Sequence, residues 1–137
     1  VQKSVLELNG RKAIFAPHFQ TMYTIYGIPN CGTVKKAIQW FDRNGLRYQF
    51  HNYQKQGVSG DSLKSWAAQV GWEALINKNG TTWRKNKDAN EKKIVTEHGT
   101  VDLLCSQPSI IRRPLIEKEG KVLTLGFQED NYLSIFL

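Results

Sequence analysis

Met22-Tyr23-Thr24-Ile25-Tyr26-Gly27-Ile28-Pro29-Asn30-Cys31-Gly32-Thr33-Val34-Lys35-Lys36-Ala37-Ile38-Gln39-Trp40-Phe41 is the stretch that decides the fold of this chain. Its first part, Tyr23 to Ile28, is a short run of β-formers and reads as a buried strand. Pro29 to Thr33 breaks the run. Val34, Ala37, Ile38 and Phe41 then recur at i, i+3, i+4 and i+7, the spacing of an amphipathic helix. Gly45 stands where a helix end needs a residue free to take positive φ. Leu46 to Asn52 reads as a second strand, with Tyr48 and Phe50 on one side. Strand, helix and strand in this order form a right-handed parallel unit.

Upstream, Ser4 to Ala16 alternates apolar residues around Asn9-Gly10, a hairpin signal, and Pro17 to Thr21 separates it from Met22. Residues 1–21 therefore read as an N-terminal extension and 22–137 as the domain. Downstream, Leu63, Trp66, Ala67 and Val70 repeat the helical spacing between the Ser59–Asp61 region and Gly71. Trp72 to Ile76 and Asn90 to Glu97 are weaker helical segments. Val101, Leu104 and Cys105 form an apolar stripe behind a Thr100 cap, ending before Pro108. Leu115 to Glu117 and Lys121 to Leu125 flank Lys118-Glu119-Gly120 as an antiparallel hairpin, and Asp130 caps a last helix holding Tyr132, Leu133 and Phe136. The expectation is an α/β domain with a four-stranded mixed sheet and a mostly helical insertion, about 59–107, covering one end of it.

A chain of 137 residues supports one hydrophobic core. With 40% apolar and 23% charged residues its composition is that of a globular domain, which argues against disorder. No apolar run approaches the roughly 18 residues of a membrane span, and Val1 to Thr21 lacks the pattern of a secretory signal. Two cysteines are too few for a disulfide scaffold, so a reducing, cytoplasmic setting is expected. The net charge of +7 raises nucleic acid as a partner. The basic pairs Arg11-Lys12, Lys35-Lys36, Lys92-Lys93 and Arg112-Arg113 are scattered, however, and read as solvated surface. Small anions fit the same charge.

Chemistry concentrates at Cys31, where a strand gives way to a helix. Unpaired helical N–H groups and the positive end of the helix dipole stabilise an anion there. A thiolate is such an anion and is the nucleophilic form of cysteine. Gly32 removes bulk beside the sulfur, the Thr33 hydroxyl can donate to it, and Lys35 and Lys36 add positive field. Cys105, in its apolar stripe, reads as core packing. Val34 occupies the third position after Cys31, so there is no Cys-x-x-Cys, and Cys31 is expected to work alone. His18, His51 and His98 are scattered without metal-ligand spacing, and no metal site is expected.

Tyr26-Gly27-Ile28-Pro29-Asn30-Cys31-Gly32-Thr33 with Lys35-Lys36-Ala37, then Gly80-Thr81-Thr82-Trp83-Arg84-Lys85, then Ile111-Arg112-Arg113-Pro114-Leu115 resemble, in the same order, the arsenate reductase-like ArsC family. The likeness runs from about Met22 to Leu137 and is strongest to the YffB branch, with the Spx redox regulators more distant. It implies a thioredoxin-like fold with a helical insertion and a cis bond before Pro114. In arsenate reductases of the family, the cysteine matching Cys31 attacks arsenate and three arginines hold the oxyanion. Arg113 matches one of them. The second falls near Asn77-Lys78-Asn79 and the third near Gly126, where this chain has no arginine; Arg84 lies a few residues beyond the former. Bidentate recognition of an oxyanion is weakened accordingly. The resemblance to YffB implies a glutathione-dependent thiol reductase instead, with glutathione as co-substrate and no bound cofactor. Its expected site is Cys31 as nucleophile, with Arg113, Arg84, Lys35, Asn30, Gly32 and Thr33 binding a small thiol, disulfide or oxyanion. Arsenate reduction, or an Spx-like polymerase-binding role without catalysis, are the alternatives.

Overall fold

A computed structural model describes residues 22–137; the extension 1–21 and the hairpin read in it lie outside the described residues. Strand β1 (Tyr23–Gly27) leads through helix α1 (Gly32–Arg43) to β2 (Tyr48–Asn52), which pairs with β1 in parallel, Ile25 opposite Phe50. β3 (Leu115–Lys118) and β4 (Lys121–Leu125) complete a mixed sheet of order β2-β1-β3-β4. Both β1–β3 and β3–β4 are antiparallel, and Glu119 (φ 53°) and Gly120 (φ 82°) make the tight turn between the last two. Gly45 has the expected positive φ, 67°, behind α1. This is the α/β architecture expected from the strand–helix–strand pattern, and it is thioredoxin-like, as the family resemblance implies.

Side chains alternate across the sheet and divide the core in two. Ile25 and Ile116, opposite one another, face α1 and α8 (Glu129–Phe136) and pack with Ala37, Trp40, Phe41, Tyr132 and Phe136. Aromatic edges fill this side: Trp40 meets Tyr132 at 5.2 Å and Phe41 meets Phe136 at 5.0 Å between ring centres. Leu115 and Tyr26 face the other way, against the helical insertion. That insertion comprises α2 (Tyr53–Gln56), α3 (Gly60–Val70), α4 (Trp72–Leu75), α5 (Thr81–Lys85), α6 (Lys87–Lys93) and α7 (Glu97–Ser106), followed by a 3-10 turn at Pro108–Ile110. Its buried residues, among them Leu63, Trp66, Trp83, Leu103 and Leu104, make the second core.

The insertion lies on a face of the sheet rather than at its end. Trp66 meets Tyr26 edge-on at 4.8 Å, and its Nε1 donates to Glu117 Oε2 at 2.9 Å while the Tyr26 hydroxyl donates to Oε1 at 2.9 Å. Gln69 reaches the outer edge, donating to the Gly120 carbonyl at 2.9 Å and accepting from the Val122 N–H at 2.8 Å.

Some boundaries differ from expectation. α7 starts at Glu97 under Thr96, whose hydroxyl accepts from the Gly99 N–H at 3.0 Å; Thr100 lies inside the helix, buried, and its hydroxyl donates back to the Thr96 carbonyl. Helical structure is interrupted between α6 and α7, within the segment read as helical from Asn90 to Glu97. Gln128, not Asp130, precedes the last helix, in which Leu133 is exposed. Cys105 is exposed as well. The buried stripe of α7 runs through Thr100, Leu103 and Leu104, so the position four after Val101 has already rotated out to solvent.

α1 lies close against the end of β1. A Cβ on Gly27 would stand 2.7 Å from Val34 Cγ2. Val34 is fully buried and β-branched, with little rotamer freedom in a helix. Gly27→Ala is expected to destabilise the fold by about 1–3 kcal/mol through overpacking. Gly32→Ala, where a Cβ meets nothing within 4 Å, should stay within roughly 0.5 kcal/mol of wild type. Urea unfolding of both variants measures the difference.

Candidate active site around Cys31

Cys31 is the residue on which α1 begins. Its backbone is extended (φ −113°, ψ 124°) and its carbonyl already accepts from Lys35 N at 3.0 Å. No acidic residue occupies the first turn of α1, so no carboxylate competes for the positive end of the helix. The thiol is partly exposed and free. Partial burial by itself raises its pKa. The Val34 and Thr33 N–H groups, and then the hydrogen-bonding and charge of the Arg113 guanidinium, outweigh that and hold it below the ordinary cysteine value. No backbone N–H meets the sulfur in full hydrogen-bond geometry; the amides act as oriented dipoles.

Arg113 reaches the sulfur from the segment that leads into β3. The antiparallel register puts Tyr26 opposite Leu115. Two residues before Leu115, Arg113 therefore lies beside the turn that follows β1. The Arg113–Pro114 bond is cis, as expected. Arg113 Nη1 donates to the Ser109 carbonyl at 2.6 Å, and its buried Nε has no protein partner. The Tyr53 hydroxyl is likewise buried without a partner.

Cys31 opens on a cleft of about 560 Å³. Thr33 lines it from α1, Asn77 from the loop after α4, Arg112 and Arg113 from the approach to β3, and Leu125 to Gln128 with Asn131 from the far side. Asn77 and Gly126, the neighbourhoods where the family pattern expects arginines, thus both line the cleft. Among the described residues no carboxylate lines it, and no ion pair holds either arginine.

The expected site residues divide. Cys31, Thr33 and Arg113 meet in the cleft. Asn30 and Gly32 flank Cys31, exposed, without lining it. Lys35 sits on the solvent face of α1, since Val34 and Ala37 take the inward positions. Arg84 is turned out of α5 because its neighbour Trp83 is the buried residue there. Neither Lys35 nor Arg84 lines the cleft. Arg112 does, although its pairing with Arg113 in sequence reads as plain surface charge. Two consecutive residues of a regular strand would face opposite ways; the backbone bends at Arg113, and both line one cleft. His51 is structural: its Nε2 bonds the Gly57 carbonyl at 2.6 Å, and its ring packs on Tyr26. Among the described residues no group of three or more His, Cys, Asp and Glu is placed to hold a metal ion.

Comparison with known proteins gives a match of residues 26–135 to the ArsC family. The solved structure of a YffB protein is 37% identical, covering 85% of this chain and 100% of that one with a TM-score of 0.77. An arsenate reductase (ArsC) related protein from Brucella melitensis is 38% identical over 84% of this chain and 94% of its own, TM-score 0.67. A global transcriptional regulator Spx from Streptococcus pyogenes is 31% identical over 80% of this chain and 81% of its own length.

The alkylation rate of Cys31 against pH should rise with a midpoint below about 8.5, the ordinary cysteine value. Arg113→Gln should move that midpoint up, toward the ordinary value, because the guanidinium's hydrogen bond and charge no longer favour the thiolate. Since the thiolate is favoured in the fold, the reduced protein gains stability as pH rises from the lowered pKa to the ordinary one. It loses that gain as pH falls back through the lowered pKa. Denaturation across this window should show the gain in wild type and not in Cys31→Ser.

Proposed function

The chain belongs to the ArsC family, and on that premise we propose that it is a monothiol, glutathione-linked thiol reductase of a reducing, cytoplasmic setting. The observation that carries this reading is a single activated thiol, Cys31, at the mouth of a cationic cleft in which Asn77 and Gly126 stand where the arsenate-site pattern has its other two arginines. The Cys31 thiolate attacks one sulfur of a disulfide. A Cys31–substrate disulfide forms, the original S–S bond breaks, and the other half leaves as a thiolate that takes a proton from water. The thiolate of external glutathione then attacks the mixed disulfide and expels Cys31 as thiolate. Substrate is reduced at the expense of glutathione. Arg113 stabilises Cys31 as nucleophile and again as leaving group, because a lower thiol pKa favours departure.

Cys105 takes no part. It is exposed on α7, its sulfur is directed at the Val58 carbonyl at 3.4 Å, and partial burial with the Asp102 charge raises its pKa. At neutral pH it is a thiol and a poor nucleophile.

Two experiments test the reading. Incubation with oxidised glutathione should add one glutathione to Cys31 by mass spectrometry. Coupled turnover of a small disulfide with glutathione should be abolished in Cys31→Ser and retained in Cys105→Ser. Turnover of arsenate at a comparable rate would replace this reading with arsenate reduction. The similarity to Spx regulators favours a second reading, a polymerase-binding regulator without catalysis; it predicts retention on RNA polymerase and no turnover of either substrate.

A further inference from the structure

Arg112 is the cleft residue that the chemistry at sulfur leaves without a task. Its backbone N–H donates to the Leu75 carbonyl at 2.6 Å, its Nε to the Ala74 carbonyl at 2.9 Å and its Nη2 to the Ile76 carbonyl at 3.4 Å. The guanidinium is thereby clamped to the end of α4. Carbonyls orient it without cancelling its charge. Nη1 has no acceptor, and no carboxylate pairs with the side chain, among the described residues. Glu73 and Lys78 share a neighbouring hollow with Arg112 without a close ion pair to it, and a half-buried, immobilised guanidinium that also lines the Cys31 cleft is prepared to take a carboxylate there. Arg113 is committed elsewhere, to Cys31 and to the Ser109 carbonyl. At about 560 Å³ the cleft has the capacity of a small organic molecule, far more than a compact oxyanion needs.

We infer that Arg112 forms a second anion subsite, which holds a carboxylate of the substrate while the substrate's sulfur lies at Cys31. The cleft thereby selects carboxylate-bearing thiols and disulfides over neutral or cationic ones. This rests on the thiol-reductase reading and names its substrate class. Asn77, beside the clamp, and Asn131 on the far wall offer neutral donors that bind such a group without a countercharge.

The test is single-turnover formation of the Cys31 mixed disulfide, followed by mass spectrometry in a Cys105→Ser background. Three disulfides are compared: oxidised glutathione (anionic), bis(2-hydroxyethyl) disulfide (neutral) and cystamine (cationic). In each, the Cys31 thiolate displaces one half of the disulfide as a thiolate. Rates are referred to a free thiol treated alike. Wild type should favour oxidised glutathione over the neutral disulfide by about tenfold. Arg112→Gln should lose that factor while keeping the rate with the neutral disulfide, and Arg112→Glu should prefer cystamine. An Arg112→Gln that slows all three disulfides alike, or none, overturns the subsite. If Gln and Glu variants do not fold, Arg112→Lys decides: it keeps the charge and most of the preference if the subsite is real, and none if Arg112 only tethers α4. If none of the disulfides modifies Cys31, it is the reductase reading that fails. Alkylation by iodoacetate against iodoacetamide, in which a C–S bond forms and iodide leaves, then reads the same charge preference independently. In that case an unchanged reagent ratio in the Arg112 variants overturns the subsite.

Discussion

The reactive end of the molecule depends on how closely α1 lies against the end of β1, and Val34 packed on Gly27 sets that distance. Val34 is both the buried anchor of the first helical turn and the donor whose N–H most lowers the Cys31 pKa. Packing and reactivity therefore share one residue. A helix that rolled or slid to relieve crowding would carry its amide dipoles away from the sulfur. From the other side, the β1–β3 register delivers Arg113 to the same spot. Two independent pieces of backbone thus converge on one sulfur, each adjoining a regular element, α1 or β3; preorganisation of this kind costs nothing when substrate arrives.

Consecutive arginines divide the work because their surroundings differ. Arg113 keeps a buried Nε and stands beside the thiol, where its charge acts through little water. Arg112 is tied to the carbonyl ends of α4, and its charge extends into the open part of the cleft. Amides, not carboxylates, furnish most of the remaining polar wall, so among the described lining residues no carboxylate offsets the two guanidinium charges. A site with Asn77 and Gly126 in place of guanidinium groups has room where an oxyanion cage would be closed.

The fold was readable where patterns were local. Val34, Ala37 and Phe41 declared α1, Gly45 its end, and Lys118-Glu119-Gly120 the last turn. Cys31 could be placed because a strand-to-helix junction has a known electrostatic character. Errors came where two helical registers compete on one short segment: Val101, Leu104 and Cys105 fit the spacing as well as Thr100, Leu103 and Leu104 do, and only packing against the rest of the insertion chooses. The cleft's far wall was not legible. Asn77, Gln128 and Asn131 carry no pattern of their own, and Arg112 reads as surface charge because nothing in the sequence marks the bend at Arg113. Arg84 failed for the converse reason, since a motif places a residue in sequence and not on a helix face.

Gln69 has a consequence beyond holding α3 to the sheet. β4 is an outer strand, and an outer strand exposes a row of N–H and C=O groups to which another chain can add. The primary amide of Gln69 has the same donor and acceptor as a peptide group, and it takes the Gly120 carbonyl and the Val122 N–H together. One side chain thereby stands in for a fifth strand. At the end of β4 nearest the hairpin turn, a strand approaching from outside therefore finds the Gly120 carbonyl and the Val122 N–H already taken.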